Sequence, residues 1–182
     1  MLRLAIVLGM LAAPAAGDSL RMVIEGEAQG TVEIDLFEDV APGHVKRVVS
    51  LAEAGEYDGV VFHRVIDGFM AQTGDVEFGD IDDIDMRRAG TGGSDAPDLK
   101  AEFSEIPFER GVVGMARSRD PDSANSQFFI MFADAPHLDG KYTVVGRVIS
   151  GMDVIDDIKR GNARNGAVSG RPDVMTRVSA AP

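Results

Sequence analysis

Helical spacing of apolar residues occurs in only two stretches of this chain, and that limits the folds open to it. After Ala41-Pro42-Gly43-His44, residues Val45, Val48, Val49 and Ala52 fall at i, i+3, i+4 and i+7 on one face, and Gly55 supplies a C-terminal stop. The second stretch covers 152–160, with Val154, Ile155 and Ile158 inward and Lys159, Arg160 and Gly161 closing it as the helix dipole favours. The remaining apolar content comes in short β-rich runs at 20–24, 31–37, 60–66, 111–116, 126–132, 143–149 and 174–178. In 31–37, Val32, Ile34 and Leu36 alternate with Thr31, Glu33 and Asp35, the period of a half-buried strand. With 20–24 before it and Gly30 in the turn, it predicts an opening hairpin. Many short strands and two helices point to a mainly β fold, a closed antiparallel barrel capped by the helices. A doubly wound α/β fold would need far more helix.

The N-terminal residues read as a leader. Arg3 precedes an apolar run at 4–13 interrupted only by Gly9, and Pro14-Ala15-Ala16-Gly17 supplies the small residues a signal peptidase accepts. The run is about half the roughly 20 residues that cross a bilayer. The expectation is a signal peptide at 1–17, one domain at 18–182, and a periplasmic or secreted mature protein off the membrane. Net charge is −12, from 18 basic and 30 acidic residues, which repels phosphate backbones and argues against nucleic-acid binding. There is no cysteine, so disulfides and thiolate nucleophiles are excluded. Asp80, Asp82, Asp83 and Asp85 crowd the segment 77–88, but from Asp80 a calcium loop would want glycine sixth and glutamate twelfth, where Asp85 and Thr91 stand. The segment reads as a solvated surface loop.

Three motifs carry chemical potential. The stretch 57–75 places His63 and Arg64 in a strand, then a tight turn at Asp67-Gly68, then Phe69, Met70 and Gln72. Folded back through that turn, the arginine lies beside an aromatic ring, a thioether and an amide. In Ser126-Gln127-Phe128-Phe129-Ile130, alternation puts Gln127 and Phe129 on one face and Phe128 and Ile130 on the core side. His137-Leu138-Asp139-Gly140-Lys141-Tyr142 forms a turn between strands. Each has a bland reading: a strand arginine is usually salt-bridged, and Phe-Met pairs usually fill cores. His63 and His137 are not spaced as metal ligands, and Ser126 lacks the flanking glycines of a nucleophile elbow.

Together with Gly90-Thr91-Gly92-Gly93 and Gly114-Met115-Ala116-Arg117, these motifs make the chain resemble the cyclophilins, and closely their exported bacterial branch, from about Leu20 to Val178. The resemblance implies an eight-stranded barrel with two helices and peptidyl-prolyl cis-trans isomerase activity, without metal or other cofactor. It implies Arg64 as the catalytic residue and Phe69, Met70, Phe129 and Leu138 as the proline pocket. Gln72 and Gln127 would hold the arginine and the substrate backbone. Ala116 and Arg117 would bind the residue before proline, with His63 beside the pocket and Tyr142 in place of a histidine found in many eukaryotic members. His137 stands where cyclosporin-sensitive members often carry tryptophan, so weak drug binding is expected. The implied partners are proline-containing unfolded or flexible polypeptides, and a monomer is the expected state. A module of the same fold that binds proline segments without turnover is the alternative; the intact Arg64 argues for the enzyme.

Overall fold

The computed structural model describes residues 19–181; the expected leader at 1–17 lies outside them. Strands β1 (Ser19–Glu25) and β2 (Gly30–Leu36) form the opening hairpin, with Leu20 opposite Ile34 and Met22 opposite Val32. Its turn lies before Gly30, which opens β2. Helix α1 (Pro42–Glu53) follows, with Pro42 in its first turn, where a missing N–H costs nothing. Its N-terminus is capped from a distance: the Glu102 carboxylate accepts the Gly43 and His44 backbone N–H groups and meets His44 Nδ1 at 2.6 Å.

The run at 60–66 becomes two strands, β3 (Val60–Val61) and β4 (Arg64–Ile66). Then come β5 (Met70–Thr73), β6 (Val112–Met115), β7 (Phe128–Met131), β8 (Val144–Ser150), α2 (Met152–Asp156) and β9 (Val174–Ala181). All pairings are antiparallel, in the order β3-β9-β1-β2-β8-β6-β7-β5-β4. The two ends of that order are successive segments of one stretch, joined through Phe62 and His63, so the sheet curls back on itself. Among the described residues the strands number nine because this stretch changes partner halfway; counted as one, it restores the expected eight. Helix α2 stops short of the expected 160, because Lys159 N–H turns away to donate to Asp173.

Alternation along the strands sorts side chains onto two cores. Leu20, Met22, Ile34, Val65, Ala71, Val113, Phe128 and Ile130 pack with Val45, Val48 and Ile155 of the helices into the larger one. Their neighbours Met70, Val112, Phe129, Met131 and Val144 face the other way and meet Phe108 and Leu138 in a smaller core. Phe37, Phe69, Ala116 and Tyr142 only partly cover this second core, and its open margin is where the site lies.

Candidate active site

The β4–β5 hairpin aligns the central residues. Gly68 takes φ +67°, and the Phe69 N–H closes the turn on the Ile66 carbonyl at 3.0 Å. The register then sets Arg64 opposite Gln72 and Ile66 opposite Met70. On the next strand Gln72 faces Phe129 and Met70 faces Met131. A cavity of about 160 Å³ results, lined by Arg64, Phe69, Met70, Gln72, Ala116, Arg117, Phe129, Leu138 and Tyr142. Nine residues singled out in sequence therefore meet around one hollow. A second hollow of about 230 Å³ adjoins it across Gln72, Ala116 and Arg117, with Thr91, Ser118, Ser123 and Asn125 on its wall.

The Arg64 guanidinium is held at both ends. Its Nε donates to the Asn165 carbonyl at 3.0 Å and its Nη1 to Gln72 Oε1 at 3.0 Å. Gln72 Nε2 donates in turn to Gln127 Oε1 at 2.9 Å, and Gln127 Nε2 to the Gly92 carbonyl at 2.8 Å. Gln127 thus lies one hydrogen bond behind the cavity. Partial burial draws the Arg64 pKa down, with Tyr142 pulling it up; a guanidinium stays charged under such perturbation.

The walls are packed aromatics. Phe129 stacks on Phe108 at 5.8 Å between centroids, and Tyr142 meets both edge-on, at 5.8 and 6.5 Å. Arg117 lies over the Tyr142 ring at 4.3 Å and donates to the carbonyls of Ser118, Arg119 and Lys141. Its charge is spent bracing the wall. Asp139 accepts the Phe108 N–H at 2.8 Å, tying the 137–142 turn to the small core. His137 tilts against the rim residue Phe69 at 5.6 Å.

His63 does not line the 160 Å³ cavity. It is buried beside that cavity, lining a neighbouring hollow with Arg64 and Gln72, and desolvation lowers its pKa to about 4 against the pull of Asp75, so the ring is neutral around pH 7. Sequence reasoning gave no site role to Asn165, Gly92 or Asp75. The first two act through backbone carbonyls, which leave no side-chain signature; Asp75 stands at the far end of the 57–75 motif, away from its turn. An arginine anchored through two of its nitrogens at the edge of a hollow with apolar walls on one side can donate to an uncharged group that becomes basic only when distorted.

A family model described as cyclophilin type peptidyl-prolyl cis-trans isomerase/CLD matches residues 20–180. A probable peptidyl-prolyl cis-trans isomerase of Brucella suis biovar 1 is 54% identical over 177 residues, covering 96% of this chain and 90% of that protein. A peptidyl-prolyl cis-trans isomerase of Acinetobacter baylyi is 40% identical over 162 residues, 86% of this chain and 81% of its own. Among solved structures, a cyclophilin of Hirschia baltica superposes with a TM-score of 0.71 at 26% identity, over 88% of this chain and 72% of that one. A cyclophilin-type isomerase of Cryptosporidium parvum, solved in the presence of the dipeptide Ala-Pro, gives 0.73 at 23% identity, over 90% and 99%.

Proposed function

The chain belongs to the cyclophilin-type peptidyl-prolyl cis-trans isomerases, and from that premise we propose that Arg64 drives the isomerisation and that the polypeptides served are exported ones. An amide resists rotation because nitrogen shares its lone pair with the carbonyl, a barrier of about 18–20 kcal/mol. At the twisted transition state that sharing is lost and the proline nitrogen becomes a hydrogen-bond acceptor. The ring sits against Phe69, Met70, Phe129 and Leu138, which hold it and keep water from competing. Arg64 donates to the nitrogen only once the bond is twisted, so its contribution falls on the transition state and not on the ground state.

The observation that carries this reading is the double anchoring of Arg64. With Nε on Asn165 and Nη1 on Gln72, the remaining terminal nitrogen is aimed without cost at the moment of reaction. Uncatalysed isomerisation takes tens to hundreds of seconds. Reaching milliseconds asks for roughly 7 kcal/mol, at about 1.4 kcal/mol per decade, shared between this donor and the walls that hold the proline ring. The Cryptosporidium parvum isomerase, solved in the presence of Ala-Pro, supports X-Pro segments as the ligand here. Arg64→Ala should lower kcat/KM for a proline tetrapeptide by about 10²–10³ while the protein stays folded. Near-wild-type turnover in a folded variant would sink the arginine mechanism.

Export is supported by the leader-like residues 1–17. N-terminal sequencing of protein from an envelope fraction should find a start between residues 16 and 18. An intact Met1 in the cytoplasmic fraction would count against it.

A further inference from the structure

The hydrogen-bond chain that begins at Arg64 does not end at Gln127. It runs on to the Gly92 carbonyl, and the residue that fixes Gly92 is a carboxylate with no exposed surface, Asp75. Asp75 stands immediately before the acidic loop 76–91, and Gly92 stands immediately after it. The Oδ1 atom accepts the N–H groups of Glu77 and Phe78 at 3.2 and 3.0 Å, on the outgoing limb. The Oδ2 atom accepts those of Gly90 and Gly92 at 2.6 and 3.1 Å, on the returning limb. One carboxylate therefore ties the neck of the loop with four charge-assisted bonds, roughly twice as strong as neutral ones. The fit is close: a Cβ at Gly92 would stand 2.5 Å from Asp75 Oδ1 and 2.7 Å from Glu77 Cβ.

We propose that Asp75 is a positioning residue for the isomerase reaction, acting on Arg64 through Gly92, Gln127 and Gln72; this rests on the isomerase reading above. The Gly92 carbonyl receives the Gln127 amide N–H and so decides which way Gln127 presents its oxygen. That oxygen receives Gln72 Nε2 and decides which way Gln72 presents its own to Arg64. Each amide has a donor end and an acceptor end, so the row keeps one polarity only while both ends hold: Arg64 can only donate at the near end, and the far end must offer an acceptor. Gly92 provides that acceptor, and Asp75 holds it in place. Burying a carboxylate is costly unless it is satisfied, and the four backbone donors supply that satisfaction. The loop beyond the neck has its own fastenings: Val61 N–H donates to Gly79, Ile81 N–H to Gly59, and Arg88 lies over Phe78 at 3.5 Å. Asp75 is thus needed at the neck and not to keep the loop tip in place.

Asp75→Asn tests this, because asparagine is the same size and replaces one acceptor oxygen with an NH2 group that cannot receive the two N–H groups of whichever limb it faces. Turnover of a proline tetrapeptide by the full chain should fall in kcat by between about tenfold and a hundredfold, the usual effect of a misplaced group, with KM within about twofold. The Arg64 Nε–H resonance in a 1H–15N spectrum should shift or broaden in the same variant. Asp80→Ala, which removes a cap on Asp82 at the exposed part of the loop, should leave both unchanged. If Asp75→Asn fails to fold, Gly92→Ala strains the same joint and should show the same kcat loss. A folded Asp75→Asn with kcat within about twofold of wild type overturns the proposal, as does a kcat loss with an unmoved Arg64 resonance. If Arg64→Ala is crippled while Asp75→Asn is not, this inference falls and the isomerase reading stands; a wild-type chain without activity overturns both.

Discussion

Gln72 serves the site with both ends of one side chain, accepting from Arg64 and donating to Gln127. That division makes substitutions at 72 informative. Gln72→Ala removes one of the two anchors of the guanidinium and should cost about tenfold in kcat, since the Asn165 carbonyl still holds Nε. Gln72→Glu is nearly isosteric, yet it should do no better. Its carboxylate would set an oxygen against Gln127 Oε1 and pair with Arg64, drawing the donor away from the proline nitrogen. Steady-state kinetics of the two variants checks this, and wild-type kcat in Gln72→Glu would show that the amide polarity is immaterial. The apolar wall has an equally local weak point at Gly114. A Cβ there would stand 2.6 Å from the rings of both Phe108 and Phe129, and neither can retreat from a stacked pair in the small core. Gly114→Ala should therefore tilt Phe129 into the hollow, raise KM several-fold and cost about 1–3 kcal/mol as overpacking. Peptide titration and urea unfolding read the two effects separately.

At the scale of elements, what could be read from sequence and what could not divides along local and distant causes. The opening hairpin, α1 and the Asp67-Gly68 turn were legible because period and turn chemistry are local: Val32, Ile34 and Leu36 do alternate inward, and Gly68 does take a positive φ. The turn then delivers Arg64, Phe69, Met70 and Gln72 to one place, so four of the nine lining residues were legible with it. The break between β3 and β4 was not. Residues 60–66 read as one β-rich run despite His63 and Arg64, and the break reflects a change of partner from β9 to β5 that no local pattern records. The early end of α2 has a similar origin in Asp173, a buried carboxylate that accepts Lys159 N–H at 2.6 Å and Ala28 N–H at 2.9 Å. It pins the segment after α2 to the β1–β2 turn across most of the chain length. Asp173→Ala strands one buried and one part-buried backbone donor, each worth about 1–3 kcal/mol when unsatisfied, so a loss of about 3 kcal/mol is expected. A lower urea midpoint with unchanged kcat in dilute buffer would bear this out, since Asp173 touches none of the cavity residues. A midpoint within error of wild type would mean that those donors find other partners.

For the whole molecule, activity and stability should respond differently to pH, because they depend on different groups. The proposed chemistry uses a guanidinium and no general base, so kcat should be flat from about pH 6 to 9. Stability should not be flat. In the unfolded chain an imidazole takes up its proton near pH 6.5, whereas burial delays protonation of His63 until about pH 4; Asp75 draws the value up and Arg64 pushes it further down. Between those values the unfolded chain binds a proton that the folded protein refuses, and acid favours unfolding. The contribution is whole above pH 6.5 and lost as the pH falls to about 4, a span worth about 3 kcal/mol. A second loss follows at lower pH. Burial works against the Glu102 carboxylate, but the His44 ring and the Gly43 and His44 N–H groups together hold its pKa below the usual carboxylate value. Its stabilisation of α1 is present above the unfolded carboxylate pKa and disappears as pH drops through the folded one. The two losses occupy different windows, so His63→Gln should abolish the slope between pH 6.5 and 4 and leave the fall beneath it. Urea midpoints taken every half unit for both proteins would separate them. An unchanged slope in His63→Gln would assign the upper window to some other group.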